Sequence, residues 1–210
     1  MSDACCKAPP PPRGLSYRRV LWIALCANAA MFLVELAAAW WSGSSALAAD
    51  AADFLGDSAN YALSLGALAL GGAWISRVAL LKGTAMALYG VGVLVYAAWR
   101  TWLGIPPEPV TMGVVGLLAL CVNFGVAMLL FRFREGDANM RSVWLCTRND
   151  CIANIAVMVA GAGVWWSGTH WPDIAVAAII AGLGLTSAQR IIRQALGELR
   201  APVPRGVPAE

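Results

Sequence analysis

Residues 49–58 read ADAADFLGDS, and they place Asp50, Asp53 and Asp57 in one of the most apolar parts of the chain. An ionisable side chain at bilayer depth costs about 2.5–3.5 kcal/mol on insertion scales, so it normally faces a bundle interior and has a partner. On a helix, Asp53 and Asp57 lie one turn apart on one stripe, with Asp50 beside them. The stretch therefore predicts a membrane helix whose acidic face requires a metal ion or a proton.

The rest of the chain has the composition of a membrane protein. Its 210 residues are 60% hydrophobic and only 13% charged, which is unusual for a soluble globular domain. A spanning helix needs about 20 mostly apolar residues, and six stretches qualify: residues 20–41, 44–72, 83–101, 110–131, 142–166 and 173–190. We therefore predict an all-α membrane protein with six transmembrane helices.

The basic residues predict how this bundle is oriented. With the N-terminus in the cytoplasm, every Lys and Arg except Arg100 falls on the cytoplasmic side or at its interface. This asymmetry follows the positive-inside rule, so both termini are predicted to be cytoplasmic. Because topology accounts for the positive charge, nucleic-acid binding is not predicted.

Two tails are predicted to flank the transmembrane domain, which spans residues 17–192. Residues 1–16 contain four consecutive prolines and are expected to be a disordered cytoplasmic tail, and residues 193–210 form a second one. Cys5 and Cys6 could dock a soft metal ion, but two adjacent thiols without further ligands more often have no metal role.

The fifth stretch carries a second polar stripe. Cys146 and Asp150 are four residues apart, and Asn154 continues the line. At about 1.5 Å per residue, Asp53 lies roughly 13–15 Å from the outer end of helix two and Asp150 roughly 12 Å from the inner end of helix five. Both depths are close to the midplane of a hydrocarbon core about 30 Å thick.

Two carboxylates from one helix can therefore meet a thiolate and a carboxylate from another. Asp53, Asp57, Cys146 and Asp150 form a four-ligand set that suits Zn²⁺, Cd²⁺ or Co²⁺, and the thiolate favours the softer ions. Cys146 could equally pack as a small apolar side chain.

Other intramembrane polar residues have structural explanations. Asp50 is expected to bond to backbone or to Asn28 more than to ligate a metal ion, and Glu35 is expected to be structural or proton-linked. Three amides are expected to form hydrogen bonds between helices: Asn28, Asn123 and Asn154.

Several motifs resemble the cation diffusion facilitator family. The first two helices follow the pattern N-x6-E-x7-G-x-S-x-L-x2-D-x2-D-x3-D, carried by Asn28, Glu35, Gly43, Ser45, Leu47, Asp50, Asp53 and Asp57. DANMRSVWLCTRND at 137–150 resembles the family's entry into its fifth helix, and WPD at 171–173 its entry into the sixth. The resemblance covers roughly residues 15–190.

The resemblance implies a transporter of the bacterial inner membrane that exports Zn²⁺, Cd²⁺, Co²⁺ or Ni²⁺ in exchange for protons, with no enzymatic activity and no resident cofactor. Its metal ligands would be Asp53, Asp57, Cys146 and Asp150. Cys146 stands where the family usually has His, and Asp53 stands where zinc-preferring members have His. The family's cytoplasmic C-terminal domain, which helps dimerisation, is expected to be missing, so a homodimer would form through the membrane part. The alternative is a non-transporting membrane metal sensor or accessory subunit.

Overall fold

The computed structural model describes residues 15–66, 72–131 and 138–200, with side chains described at 18–66, 76–131 and 150–200. Cys5 and Cys6 lie outside these ranges. The described residues form helices and short turns, with no strand among them. The six helices are α1 (Leu15–Ser42), α2 (Ser45–Gly66), α3 (Gly72–Leu103), α4 (Pro109–Phe131), α5 (Ala138–Ser167) and α6 (Trp171–Arg200).

These helices confirm an all-α membrane protein. Five of the six are long and apolar enough to cross a membrane by length and composition. The remaining helix, α2, has 22 residues and is therefore about 33 Å long, but its three aspartates lower its hydropathy. The free-energy cost of placing these aspartates in the membrane is reduced because α2 packs against α1, α3, α5 and α6 and is shielded from lipid.

The helices α3 and α6 extend furthest beyond their predicted bounds. α3 begins at Gly72 instead of residue 83 and so includes Arg77 and Lys82, and α6 continues to Arg200 into the segment predicted as a tail. The hydropathy of a stretch measures how much of a helix suits hydrocarbon, and a helix can continue beyond that region with charged residues.

The core around α2 is built from small side chains. Among the buried residues of α2 are alanines at positions 46, 48, 49, 51 and 52. The alanines at positions 46, 48 and 49 pack in one cluster with Val157 and Ala160 of α5 and with Ala177 and Ile180 of α6. Small side chains let membrane helices approach closely, which brings the acidic face of α2 near its neighbours.

At one end of the bundle α1, α3 and α5 end and α2, α4 and α6 begin, joined by short turns. Exposed tryptophans crowd this end: Trp40, Trp41, Trp99, Trp102, Trp165, Trp166 and Trp171. Amphipathic indole rings favour the headgroup level of a bilayer. We call this end of the bundle the tryptophan-rich end.

The turn between α1 and α2 depends on Gly43. Gly43 has φ +72°, and its amide donates to the Ala39 carbonyl at 2.9 Å, which ends α1. A Cβ there would lie 2.3 Å from Nη2 of Arg100, a group that also donates to the Ile105 carbonyl at 3.1 Å. Gly43 therefore permits both the left-handed turn and the Arg100 contact.

We expect Gly43→Ala to destabilise the protein more than Gly104→Ala. Gly104 has φ +64° and open space around it, so its substitution costs only the backbone strain of about 1–2 kcal/mol. Gly43→Ala must also displace the Arg100 side chain and its hydrogen bond, which adds about 1 kcal/mol. Thermal unfolding of both variants in detergent tests this, and equal shifts in Tm would contradict a role for the Arg100 contact.

Candidate metal site

Asp173, in the first turn of α6, fixes the start of α2. Ser44 Oγ donates to Asp173 Oδ1 at 2.6 Å, and the amides of Ser45 and Ala46 donate to the same carboxylate at 2.8 and 3.0 Å. Ser44 Oγ also accepts from the Leu47 amide at 3.1 Å and so is the N-cap. This cap sets the position of α2, and with it the position of its three aspartates.

A pair of carboxyl groups meets across the interface of α2 and α5. The carboxyl groups of Asp57 and Asp150 lie within hydrogen-bonding range of each other. Tyr61 donates to Oδ2 of Asp57 at 3.3 Å, whereas Oδ2 of Asp150 is buried without a partner among the described residues. The acidic stripes of the two helices therefore face each other at this point.

Asp53 reaches the same region from one turn earlier on α2. It shares with Asp150 the wall of a cavity of about 380 Å³ between α5 and α6. Ile152 and Ile179 also line this cavity and are each 62% exposed, so the cavity opens on the apolar surface of the bundle. Asp53 thus lies beside the pair formed by Asp57 and Asp150, with a cavity wall in common with Asp150.

The fourth predicted ligand is Cys146, whose side chain lies outside the described residues. The α5 helix includes this position, one turn before Asp150 on the same stripe. Within the described ranges, no group of three or more His, Cys, Asp or Glu side chains is close enough to hold a metal ion. In this conformation the acids meet as a pair, and the complete four-ligand set stays a prediction.

Lys82 of α3 brings a positive charge to the acids. It is 9% exposed, and its Nζ donates to the side-chain oxygen of Asn60. Its charge lies close enough to Asp57 to stabilise the ionised carboxylate. Lys82 was predicted on the cytoplasmic side or at its interface from the positive-inside rule, and that location stays a prediction. The structure adds that its side chain is buried between helices.

A second polar network lies further toward the tryptophan-rich end. Nδ2 of Asn154 donates to Oδ2 of Asp50 at 2.6 Å, and Oδ1 of Asn154 accepts from Asn123 at 2.9 Å. The carboxyl group of Glu35 lies within hydrogen-bonding range of Asp50. Side chains from α1, α2, α4 and α5 are thus joined in one buried chain.

Two of the three asparagines that were expected to form hydrogen bonds between helices do so, and the third does not. Asn123 and Asn154 bond to each other across α4 and α5. Asn28 instead donates to the Ala24 carbonyl of its own helix at 2.9 Å, and its Oδ1 is buried without a described partner. The expectation that Asp50 bonds to backbone or to Asn28 is therefore wrong, because the amide that reaches Asp50 belongs to α5.

Residues 21–200 match the family model of the cation efflux transmembrane domain. The chain is 26% identical over 201 residues to the metal cation efflux system protein CzcD of Cupriavidus metallidurans, an alignment that covers 90% of this chain and 64% of that protein. It is 27% identical over 209 residues to the zinc transporter ZitB of Escherichia coli, covering 92% and 66%.

A third relative is the cadmium, cobalt and zinc/H(+)-K(+) antiporter of Bacillus velezensis, which is 24% identical over 210 residues, covering 92% of this chain and 66% of that protein. The chain thus spans just under two thirds of the length of these bacterial relatives. The family match confirms the resemblance drawn from the motifs. The apolar helices together with the bacterial relatives confirm a multi-pass protein of the bacterial inner membrane. This chain belongs to the cation efflux family.

Proposed function

We propose that this chain is a secondary transporter that exports a divalent transition-metal ion in exchange for protons. Its metal ligands would be Asp53, Asp57, Cys146 and Asp150. The observation that carries the proposal is the meeting of the Asp57 and Asp150 carboxyl groups between α2 and α5. Family membership and the efflux functions in the names of the relatives support it.

The facing carboxyl groups explain why metal and protons would be exchanged. Two carboxylates this close cannot both stay ionised in a low dielectric unless a proton or a metal ion lies between them. Metal binding requires deprotonated ligands and so releases protons. Because both ions need the same oxygens, each would displace the other, which is the chemical basis of antiport.

Access to these ligands would alternate between the two sides of the membrane. Secondary transporters hold substrate near the midplane and move helices around it, and the cavity with Asp53 and Asp150 in its wall leaves room beside the site. The ammonium of Lys82 would offset the negative charge of Asp57 after the metal ion leaves. A homodimer through the membrane part is part of the same proposal.

The thiol at Cys146 should set the preference among metal ions. Thiolate favours softer ions such as Cd²⁺, whereas hydroxyl and carboxylate oxygens suit harder ones. We expect Cys146→Ser to lower Cd²⁺ flux at least about tenfold, the scale of a weakened metal site, and to lower Co²⁺ flux less. Flux of each ion into proteoliposomes measures this ratio.

Cys151→Ser is the matched control for this substitution. Cys151 is the next thiol along α5, and at about 100° per residue it faces away from the stripe that carries Cys146 and Asp150. Its substitution should leave the Cd²⁺ to Co²⁺ ratio unchanged. An unchanged ratio in Cys146→Ser would remove the thiol from the ligand set.

The test of the whole proposal is metal flux in proteoliposomes that contain only this protein. Zn²⁺, Cd²⁺, Co²⁺ and Ni²⁺ are supplied in parallel, with and without a pH gradient, and an internal fluorescent chelator reports entry. We expect flux of at least one ion, accelerated by the gradient. Metal binding without flux would instead identify a sensor or an accessory subunit.

A further inference from the structure

The carboxyl groups of Glu35 and Asp50 form a pair that the proposed metal ligands do not use. Both side chains are fully buried, and they lie within hydrogen-bonding range of each other. Among the described side chains, none donates a hydrogen bond to either Glu35 oxygen or to Oδ1 of Asp50. These three oxygens are buried in the interior of the bundle.

The neighbouring amides leave only one way to satisfy this pair. Asn154 has its oxygen occupied by Asn123, so its nitrogen must face Asp50. An amide N–H satisfies an ionised oxygen, and it therefore favours the carboxylate form of Asp50. Glu35 receives no such donor. A hydrogen bond between the two carboxyl groups requires a proton, and this arrangement locates it on Glu35.

The other groups around the pair are also acids or neutral. Tyr89 of α3 lies near Glu35, and its neutral hydroxyl donates to the Ala48 carbonyl at 2.9 Å. The charges nearest to Asp50 beyond Glu35 are those of Asp53 and Asp150. α6 packs alanine and isoleucine side chains against this level of α2. None of these groups supplies a positive charge, so a proton is the ion that this pair suits.

The pair lies between the proposed metal ligands and the tryptophan-rich end. Asp50 is one turn from Asp53 toward the start of α2. A groove of about 220 Å³ between α1 and α3 contains Tyr89 in its wall together with Leu36, the residue after Glu35. Trp40 also lines this groove, and it belongs to the tryptophan-rich end.

Resting on the proposed function, we propose that Glu35 and Asp50 form a proton-binding pair, separate from the metal ligands, that binds one of the protons exchanged for metal. In the arrangement described here Glu35 holds the proton, and the ionised carboxylate of Asp50 accepts the hydrogen bond. When the pair is open to one side of the membrane it releases this proton to water, and when it is open to the other side it takes up a proton from water. One proton leaves the pair and one enters it in each cycle.

The test is Glu35→Gln in proteoliposomes, measured in two modes. Exchange of radioactive for non-radioactive Zn²⁺ at equal pH on both sides needs no net proton movement, whereas uptake driven by a pH gradient does. We expect gradient-driven uptake to fall at least about tenfold, the lower range of a lost proton-transfer group, with exchange retained within about twofold. Glu108→Gln, the same change at an exposed site, should alter neither.

Other outcomes overturn the proposal. An equal loss in both modes would give Glu35 a structural role, and unchanged gradient-driven uptake would exclude it from the proton path. If the wild-type protein shows neither mode with Zn²⁺, Cd²⁺, Co²⁺ or Ni²⁺, the proposed function fails. Infrared difference spectra of the metal-free protein test the proton-binding pair without any transport. Loss of a neutral carboxylic acid band in Glu35→Gln supports the pair, and an unchanged band contradicts it.

Discussion

Replacing Asp57 with alanine should reduce metal flux by at least about a hundredfold, because even residues that only orient metal ligands change affinity by 10- to 100-fold. Among the described residues, the substitution removes the carboxyl group of α2 that lies within hydrogen-bonding range of a carboxyl group of α5. It leaves Asp150 without that partner. Flux into proteoliposomes and the metal tolerance of an expressing host measure the loss.

Ser58→Ala is a close control for this substitution. Ser58 is the next residue of α2, and its hydroxyl donates to the Phe54 carbonyl within the same helix at 2.8 Å. We expect the Ser58 variant to transport at close to the wild-type rate. Flux retained by Asp57→Ala would exclude this residue from the metal site.

Asp173→Ala should cause the largest loss of stability. The carboxylate accepts from Ser44 Oγ and from the amides of Ser45 and Ala46, all in residues that are buried. Their loss leaves buried donors without partners, and hydrogen bonds to a charged group contribute about 1.5–3 kcal/mol each. We expect a loss of about 3 kcal/mol, because water and neighbouring groups recover part of the contacts. This lowers Tm by roughly 6–12 °C at this chain length.

Glu108→Ala provides the comparison, because Glu108 also caps a helix by accepting from backbone amides, those of Val110 and Thr111. The side-chain and backbone hydrogen bonds from Thr111 hold the pKa of Glu108 below its usual range, so this cap is charged at neutral pH. The residue is exposed, and its loss should cost at most about 1 kcal/mol. Similar Tm shifts for both variants would show that burial of the Asp173 cap adds nothing.

The helices and the acidic stripe were predictable because they depend on local periodicity. The spacing of Asp53 and Asp57 places them on one stripe of α2 whatever packs against it, and the apolar runs identify the membrane helices. The meeting of Asp57 with Asp150 required a further assumption, that helices two and five face each other. The matching depths of the two polar stripes favoured that assumption and the motif resemblance supported it, since composition alone does not choose partners among six helices.

Three contacts that were not predicted join distant parts of the chain. Asp173 was predicted only as part of the WPD motif, although SGSS after α1 and an acid early in α6 are the two halves of its cap. The pairing of Asp50 with Asn154 spans 104 positions. The hydrogen bond from Lys82 to Asn60 joins α3 to α2 and depends on how these helices pack.

The alanines on α2 have a consequence for how the protein can move. A methyl side chain has no rotamers to lose or exchange, so a surface of alanines presents shallow relief to the helices around it. Leucines and phenylalanines interdigitate, and sliding past them would require each side chain to leave its well. The alanine surface in the first half of α2 therefore lowers the steric barrier to displacement there, whereas the buried rings of Phe54 and Tyr61 hold the second half against its neighbours.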